Sequence, residues 1–301
     1  MVTNLDITEK IKTLAKEKDV IILAHNYTRP EVQDLADFVG DSLELSRTAS
    51  KLSSKVILFC GVYFMAETAY ILSPDKTVLI PDPYAGCPMA DMITGEQLRK
   101  LKGDYPNAKV VCYVNSTAEV KAEADICCTS ANAVDIVNRV DSNDIIFVPD
   151  KNLGAYVSKM TGKRLILWQG YCPIHAMIKP EDILRAKQEH PSAKVVVHPE
   201  CSLDVIALAD AVRSTSGMLR YVKETDAREF IIGTESGILY RMKKENPEKQ
   251  FFPVRRDTIC VNMKKITLEK ILNSLEKDEH RVTVPEDVRI RALKSIERML
   301  M

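Results

Sequence analysis

Three stretches of this chain superimpose on one another without gaps: VIILAHNYTRPEVQDLADFVGDS (20–42), KVVCYVNSTAEVKAEADICCTS (109–130) and KVVVHPECSLDVIALADAVRST (194–215). Ala36-Asp37, Ala124-Asp125 and Ala209-Asp210 coincide at offsets of 88 and 85 residues. In that register His25, Tyr113 and His198 share a column, as do Tyr27, Asn115 and Glu200, and Ser42, Ser130 and Thr215. The segments that follow also match, and each copy ends on a cysteine: Cys87, Cys172 or Cys260. The spacing from His25 to Cys87 and from His198 to Cys260 is 62 residues, and from Tyr113 to Cys172 it is 59. A repeat of this length is a folding unit in its own right, so the chain is three fused copies of one small domain.

Each copy reads β-α-β-α-β-α-β. An apolar, β-branched run (VIILA, KVVCYV, KVVVH) precedes a short helix, a brief extended piece, a second helix with a Ser or Thr at its start, a second long strand, a third helix and a last strand. Strands that are apolar on both faces and alternate with amphipathic helices predict a parallel sheet covered on each side. The expected fold is α/β: three three-layer αβα sandwiches related by a pseudo-threefold axis and standing as a triangle around a central cavity. The expected units are 1–88, 89–174 and 175–262. A helix near 6–18 and a C-terminal segment, 263–301, with helices near 266–276 and 285–300, are expected to pack on the first unit.

Composition narrows the function classes. Lys plus Arg (42) balance Asp plus Glu (42), so no basic face for nucleic acid or an anionic membrane is expected. The longest interior stretch free of formal charge, Leu165 to Ile178, falls well short of the roughly 20 apolar residues of a membrane span. The N-terminal residues carry Asp6, Glu9, Lys10 and Lys12 with no apolar signal region, which predicts a cytoplasmic protein. The eight cysteines contain no CxxC pair, and a reducing compartment argues against a disulfide framework. Cys60 and Cys112 sit in apolar strands and read as small core hydrophobes.

In open parallel sheets, ligands gather beyond the carboxyl ends of the strands. Three such sheets would direct His25, Tyr27, Tyr113, Asn115, His198 and Glu200 to one place, together with Ser42, Ser130, Ser214 and Thr215 from the strand-to-helix turns. Hydroxyls at helix N-termini, beside unpaired N–H groups, are ready anion sites. Cys87, Cys172 and Cys260 offer a trigonal set of soft ligands. Three thiolates on a cubane cluster would leave one iron open to act as a Lewis acid. The columns holding His25 and His198, and Tyr27 and Glu200, suit proton transfers near neutral pH. His175, three residues past Cys172, is a candidate for the same cavity, whereas His190 and His280 lie in polar, solvated contexts.

These residues resemble a known family, quinolinate synthase, the iron–sulfur enzyme of de novo NAD biosynthesis. The resemblance spans the chain through ILAHNY (22–27), DFVGDS (37–42), FMAE (64–67), CPMA (87–90), YVNST (113–117), CTSANAV (128–134), PDKNLG (149–154), HPEC (198–201), GTESG (233–237) and CVNMKK (260–265). It implies condensation of iminoaspartate with dihydroxyacetone phosphate to quinolinate, with loss of phosphate and water. It also implies a [4Fe-4S] cluster on Cys87, Cys172 and Cys260, and substrate contacts at His25, Ser42, Tyr113, Val114, Asn115, Ser130, His198, Pro199, Glu200 and Thr215. Tyr27 and Glu200 are the candidates for proton transfer. A functional link to the enzyme that makes iminoaspartate follows from the same resemblance. Some members carry a CxxCxxC run at the last ligand; here Val254 and Asp257 stand at the other two positions, so a disulfide switch is not expected. Two alternatives remain open at this stage. A cluster-dependent hydro-lyase would give an alkene or hydroxy acid in place of a pyridine, and an iron–sulfur electron carrier would take a fourth protein ligand.

Overall fold

The structure is a computed structural model that describes residues 4–51 and 53–301. Among them the strands form three four-stranded parallel sheets flanked by helices. The first holds β1 (Val20–His25), β2 (Phe38–Gly40), β3 (Val56–Cys60) and β4 (Thr77–Leu79). The second holds β5 (Lys109–Tyr113), β6 (Ile126–Cys128), β7 (Ile145–Val148) and β8 (Leu165–Leu167). The third holds β9 (Lys194–Val197), β10 (Ala211–Val212), β11 (Glu229–Gly233) and β12 (Gln250–Pro253). The spatial order is the same in each, β2-β1-β3-β4, β6-β5-β7-β8 and β10-β9-β11-β12, with a helix in every crossover.

The Ala-Asp column explains itself in this register. Asp37, Asp125 and Asp210 open the second strand of each sheet, and each carboxylate accepts the backbone N–H of Ile22, Val110 or Val195 at 2.8 Å. Each returns its own N–H to the carbonyl of that same residue. The edge strand is thus locked to its neighbour at one equivalent point three times over.

Side-chain alternation divides the first and third sheets each between two cores, while both faces of the second sheet lie in one cluster. Val20, Ile22 and Ala24 pack with Leu58 and Cys60 on one face, joined by Ile7 and Ile11 of helix Asn4–Glu17 and Ile271 and Leu275 of helix Leu268–Lys277. Leu23, Ile57 and Phe59 point the other way, into a core shared with Val196, Phe230 and Ile232 of the third sheet. The opposite face of the third sheet, with Val195, Val197 and Ile231, has its own cluster. Burial on both faces is why the strands read as unbroken apolar runs.

The C-terminal pair divides. Helix Leu268–Lys277 lies against helix Asn4–Glu17 and the first sheet. The last helix, Glu286–Leu300, instead packs mainly on helix Ala118–Ala122 and β6 of the second sheet, where the sequence reading had put it on the first. Ala292, Ile296 and Met299 join the core around Val110, Val120 and Cys127. The apolar stripe of the helix set its amphipathic role, but nothing in the stripe says which sheet it covers. No helix among the described residues is long and apolar enough to cross a membrane.

Candidate active site

One cavity is lined by residues from all three sheets and the loops that follow them. Residues at or just past the carboxyl ends of β1, β5 and β9 enter it as paired columns: His25 and Tyr27, Tyr113 and Asn115, His198 and Glu200. Cys87, Cys172 and Cys260 line the same space. Accessibility separates these three thiols from the others, since Cys60, Cys112, Cys127, Cys128 and Cys201 are fully buried in the sheet cores.

A helical turn follows each lining cysteine: Ala90–Met92, Pro173–Ala176 and Met263–Lys265. Burial raises all three thiols, Cys87 to about 12, while the backbone N–H of the residue three positions on, Ala90, His175 or Met263, favours the thiolate at each sulfur. Cys87 also feels the charge of Cys260, and Cys172 that of Cys87. Buried thiols whose ionisation is opposed by burial and by the neighbouring sulfur, each offered an N–H, become thiolates readily when a cation joins them. The donor set therefore fits a metal centre. It also fits an open position, because no fourth cysteine lines the cavity among the described residues.

Beside the cysteines runs a hydrogen-bonded chain. His175 Nδ1 lies 2.6 Å from Glu200 Oε2 and 3.1 Å from Cys172 Sγ, and its Nε2 lies 2.8 Å from Thr234 Oγ1. Thr234 Oγ1 meets the Tyr27 hydroxyl at 2.6 Å, and that hydroxyl meets Thr215 Oγ1 at 3.0 Å. The His175 and His198 rings stack with centroids 4.5 Å apart. Burial would push the Glu200 carboxyl up, but His175 and His198, with hydrogen bonds from His175 and Tyr113, hold it below the ordinary carboxylate range. Burial keeps His25 and His198 neutral, at about 3, helped by Lys264 at His25 and by His175 at His198. Two buried polar atoms in the lining, Asn115 Oδ1 and Glu200 Oε1, have no hydrogen-bond partner. Such atoms call for a ligand, since a buried acceptor left unpaired costs about 1–3 kcal/mol. Cys172, His175 and Glu200 also offer donor atoms within 4.8 Å of one another.

Residues 9–301 match the family described as quinolinate synthetase A protein. The chain belongs to that family. It is 59% identical over 294 residues to a quinolinate synthase of Dehalococcoides mccartyi, covering 98% of this chain and 97% of that one. It is 58% identical over 293 residues to a quinolinate synthase of Thermodesulfovibrio yellowstonii, with 97% of each covered. A quinolinate synthase of Methanosarcina barkeri is 55% identical over 295 residues, 98% of this chain and 97% of the other.

Of the positions that the quinolinate synthase motifs point to, His25, Tyr27, Ser42, Tyr113, Asn115, Ser130, His198, Glu200, Thr215 and the three cysteines line the cavity together, and His175 joins them. Val114 is buried in the second core, Pro199 separates His198 from Glu200, and Ser214 is the N-cap of helix Thr215–Glu224, its Oγ accepting the Gly217 N–H at 3.2 Å. The hydroxyls expected at helix starts are displaced by one. The cap of helix Ser42–Ala49 is Asp41, whose Oδ1 accepts the N–H groups of Leu43 and Glu44 at 3.0 Å. Asp41 and Ser214 share the repeat column one residue earlier, because a cap must keep the extended backbone of the strand it ends; the column's third member, Thr129, caps no helix, since helix Ala133–Arg139 starts later with Asn132 at its N-cap. That column was visible in the aligned sequences. Thr234 was not: its column holds Gly61 and Pro149, which share no chemistry.

Proposed function

We propose that this protein is a quinolinate synthase of NAD biosynthesis that condenses iminoaspartate with dihydroxyacetone phosphate, releasing phosphate and water. The observation that carries the reading is the meeting, in one cavity, of the three accessible cysteines with His25, Tyr113, His198 and Glu200. We read the three units, 1–88, 89–174 and 175–262, as a triangle whose centre is this cavity, and Cys87, Cys172 and Cys260 as the ligands of a [4Fe-4S] cluster. When bound, that cluster supplies an open iron as Lewis acid for the dehydration.

The lining contributes the rest. No lysine or arginine lines the cavity among the described residues, so the dicarboxylate is held by neutral donors: Ser42, Ser130, Thr215, Asn115 and the imidazoles of His25 and His198. Neutral imidazoles can each donate one N–H without repelling the imine of the substrate. Glu200 is the acceptor at one end of the hydrogen-bonded chain, and Tyr27 is the donor at the other. With the Nδ1 proton of His175 directed to Glu200, Nε2 accepts from Thr234 and Thr234 accepts from Tyr27, so a proton taken up at the Tyr27 oxygen is relayed along a fixed path, each group passing on its own, to Glu200, which ends protonated. The fold holds that path across two units, which keeps it intact only while the cavity is closed to water.

Anaerobic reconstitution with iron and sulfide, followed by an assay for quinolinate from dihydroxyacetone phosphate and freshly generated iminoaspartate, tests the reading. Wild type is expected to bind four irons and form quinolinate, and Cys87→Ser, Cys172→Ser and Cys260→Ser to form none. A stable cluster without quinolinate would turn the reading to a hydro-lyase. One metal ion without sulfide would favour the second arrangement that the geometry allows, a mononuclear site on Cys172, His175 and Glu200.

A further inference from the structure

Two of the three lining cysteines are each fastened by a carboxylate that the mechanism above leaves unused. Asp150 follows β7 and Glu235 follows β11, in the same repeat column 85 residues apart. Asp150 Oδ1 accepts the N–H groups of Asn152 and Leu153 at 2.8 Å, capping helix Lys151–Thr161, and its Oδ2 accepts the backbone N–H of Cys172 at 3.1 Å. Glu235 Oε2 accepts the Gly237 N–H at 2.6 Å at the start of helix Ile238–Glu245, and its Oε1 accepts the backbone N–H of Cys260 at 3.1 Å. Lys264 Nζ lies 3.0 Å from that same Oε1. In both units one oxygen belongs to the strand-to-helix turn and the other to the cysteine loop.

The first unit shows that the fold does not require this device. Its residue in the column is Val62, which offers no acceptor to the loop before Cys87; there the Tyr63 N–H donates to the Ala85 carbonyl at 2.8 Å. A valine thus serves the same strand-to-helix turn. What sets Asp150 and Glu235 apart is the cysteine N–H that each receives while almost wholly buried, at 0% and 1% exposure.

We propose that Asp150 and Glu235 are positioning residues for the iron–sulfur centre, fixing the backbone of Cys172 and Cys260 so that both thiolates are presented to the cluster. The inference rests on the reading of these cysteines as ligands. The chemistry accounts for the residue type. Two acceptor oxygens on one side chain can serve a helix start and a cysteine loop at once, whereas an amide has one acceptor and one donor. Asparagine at 150, with its oxygen kept on the helix, would aim an NH2 group at the Cys172 N–H, donor against donor. Asp150→Asn and Glu235→Gln therefore keep a cap but release the loop.

The test compares wild type, Asp150→Asn and Glu235→Gln after anaerobic reconstitution. It reads iron and sulfide content, the reduction potential, the rate at which the visible absorbance of the cluster is lost under a fixed oxygen pressure, and the melting temperature of each apoprotein. The apoproteins are expected to melt with wild type. The loaded variants should lose the cluster about tenfold faster, the lower end of what outer-sphere partners of metal ligands contribute. Their potential should rise, because a freed cysteine N–H can turn to a cluster sulfur. Wild-type loss rates and potentials in both variants would overturn the proposal alone. So would apoproteins that melt far below wild type, which would make the carboxylates supports of the fold. A wild-type chain that takes up no cluster would instead overturn the reading of the three cysteines, and this inference with it.

Discussion

At the scale of single residues, Glu200 and Tyr27 owe their chemistry to what surrounds them more than to their own nature. A buried carboxyl alone would be neutral; Glu200 stays a carboxylate because His175 sits 2.6 Å away and the Tyr113 hydroxyl donates to it. Burial likewise pushes the Tyr27 phenol well up, outweighing the hydrogen bonds with Thr215 and Thr234 that favour the phenolate, so it holds its own proton unless another replaces it. Under the proposed function, replacing either should leave the three cysteines and the metal they are proposed to hold untouched. Tyr27→Phe and Glu200→Gln are expected to lower kcat by about a hundredfold or more, the range for loss of a general acid or base, with iron content unchanged. Initial rates and iron assays on the same reconstituted samples check this. Near-normal turnover in both would remove these two residues from the proton path.

At the scale of elements, the repeated aspartates show how a short edge strand is secured. β2, β6 and β10 hold three, three and two residues, too few for a ladder to hold by itself. Asp37, Asp125 and Asp210 each add a charge-assisted bond to the neighbouring strand at its start. Asp125 lies far from the strand ends that line the cavity. Asp125→Ala should cost about 1–3 kcal/mol, seen as a lower denaturant midpoint of the apoprotein, with kcat unchanged in the fraction that stays folded. An unshifted midpoint would show that the ladder does not depend on this carboxylate.

At the scale of the molecule, the first and third sheets share one core, while the core of the second takes in Leu43 and Ile71 from helices beside the first sheet and Ala292, Ile296 and Met299 of helix Glu286–Leu300. Across the first seam, Arg241 Nη1 donates to Asn26 Oδ1 at 2.9 Å and to the Val39 carbonyl at 2.8 Å, and Lys244 pairs with Asp34 at 2.5 Å. Asn26 stands between two cavity residues, His25 and Tyr27, so this clasp ties the third unit to the floor of the site. Arg241→Met keeps the apolar stem and removes the fork. Amide hydrogen exchange in residues 26–40 should quicken by roughly tenfold, as expected for about 1.4 kcal/mol less local stability, and kcat/KM should fall. Unchanged exchange would mean that the shared apolar core alone holds the seam.

Much of this was open to reading in one dimension. The repeat, the twelve strands among the described residues, their parallel pairing and the three cysteines as a set all follow from local apolar periodicity and from a register that the chain keeps with itself. Those signals lie within a few residues of the positions that they describe. The contacts that complete the site join residues remote in sequence: Tyr27 to Thr234, Glu200 to His175, Asp150 to Cys172 and the last helix to β6. An apolar stripe states that a helix must be covered, and an aspartate after a strand states that it can cap a turn, but neither names its partner. Docking of the three units made those choices, because close packing admits few arrangements of faces that are each generically apolar.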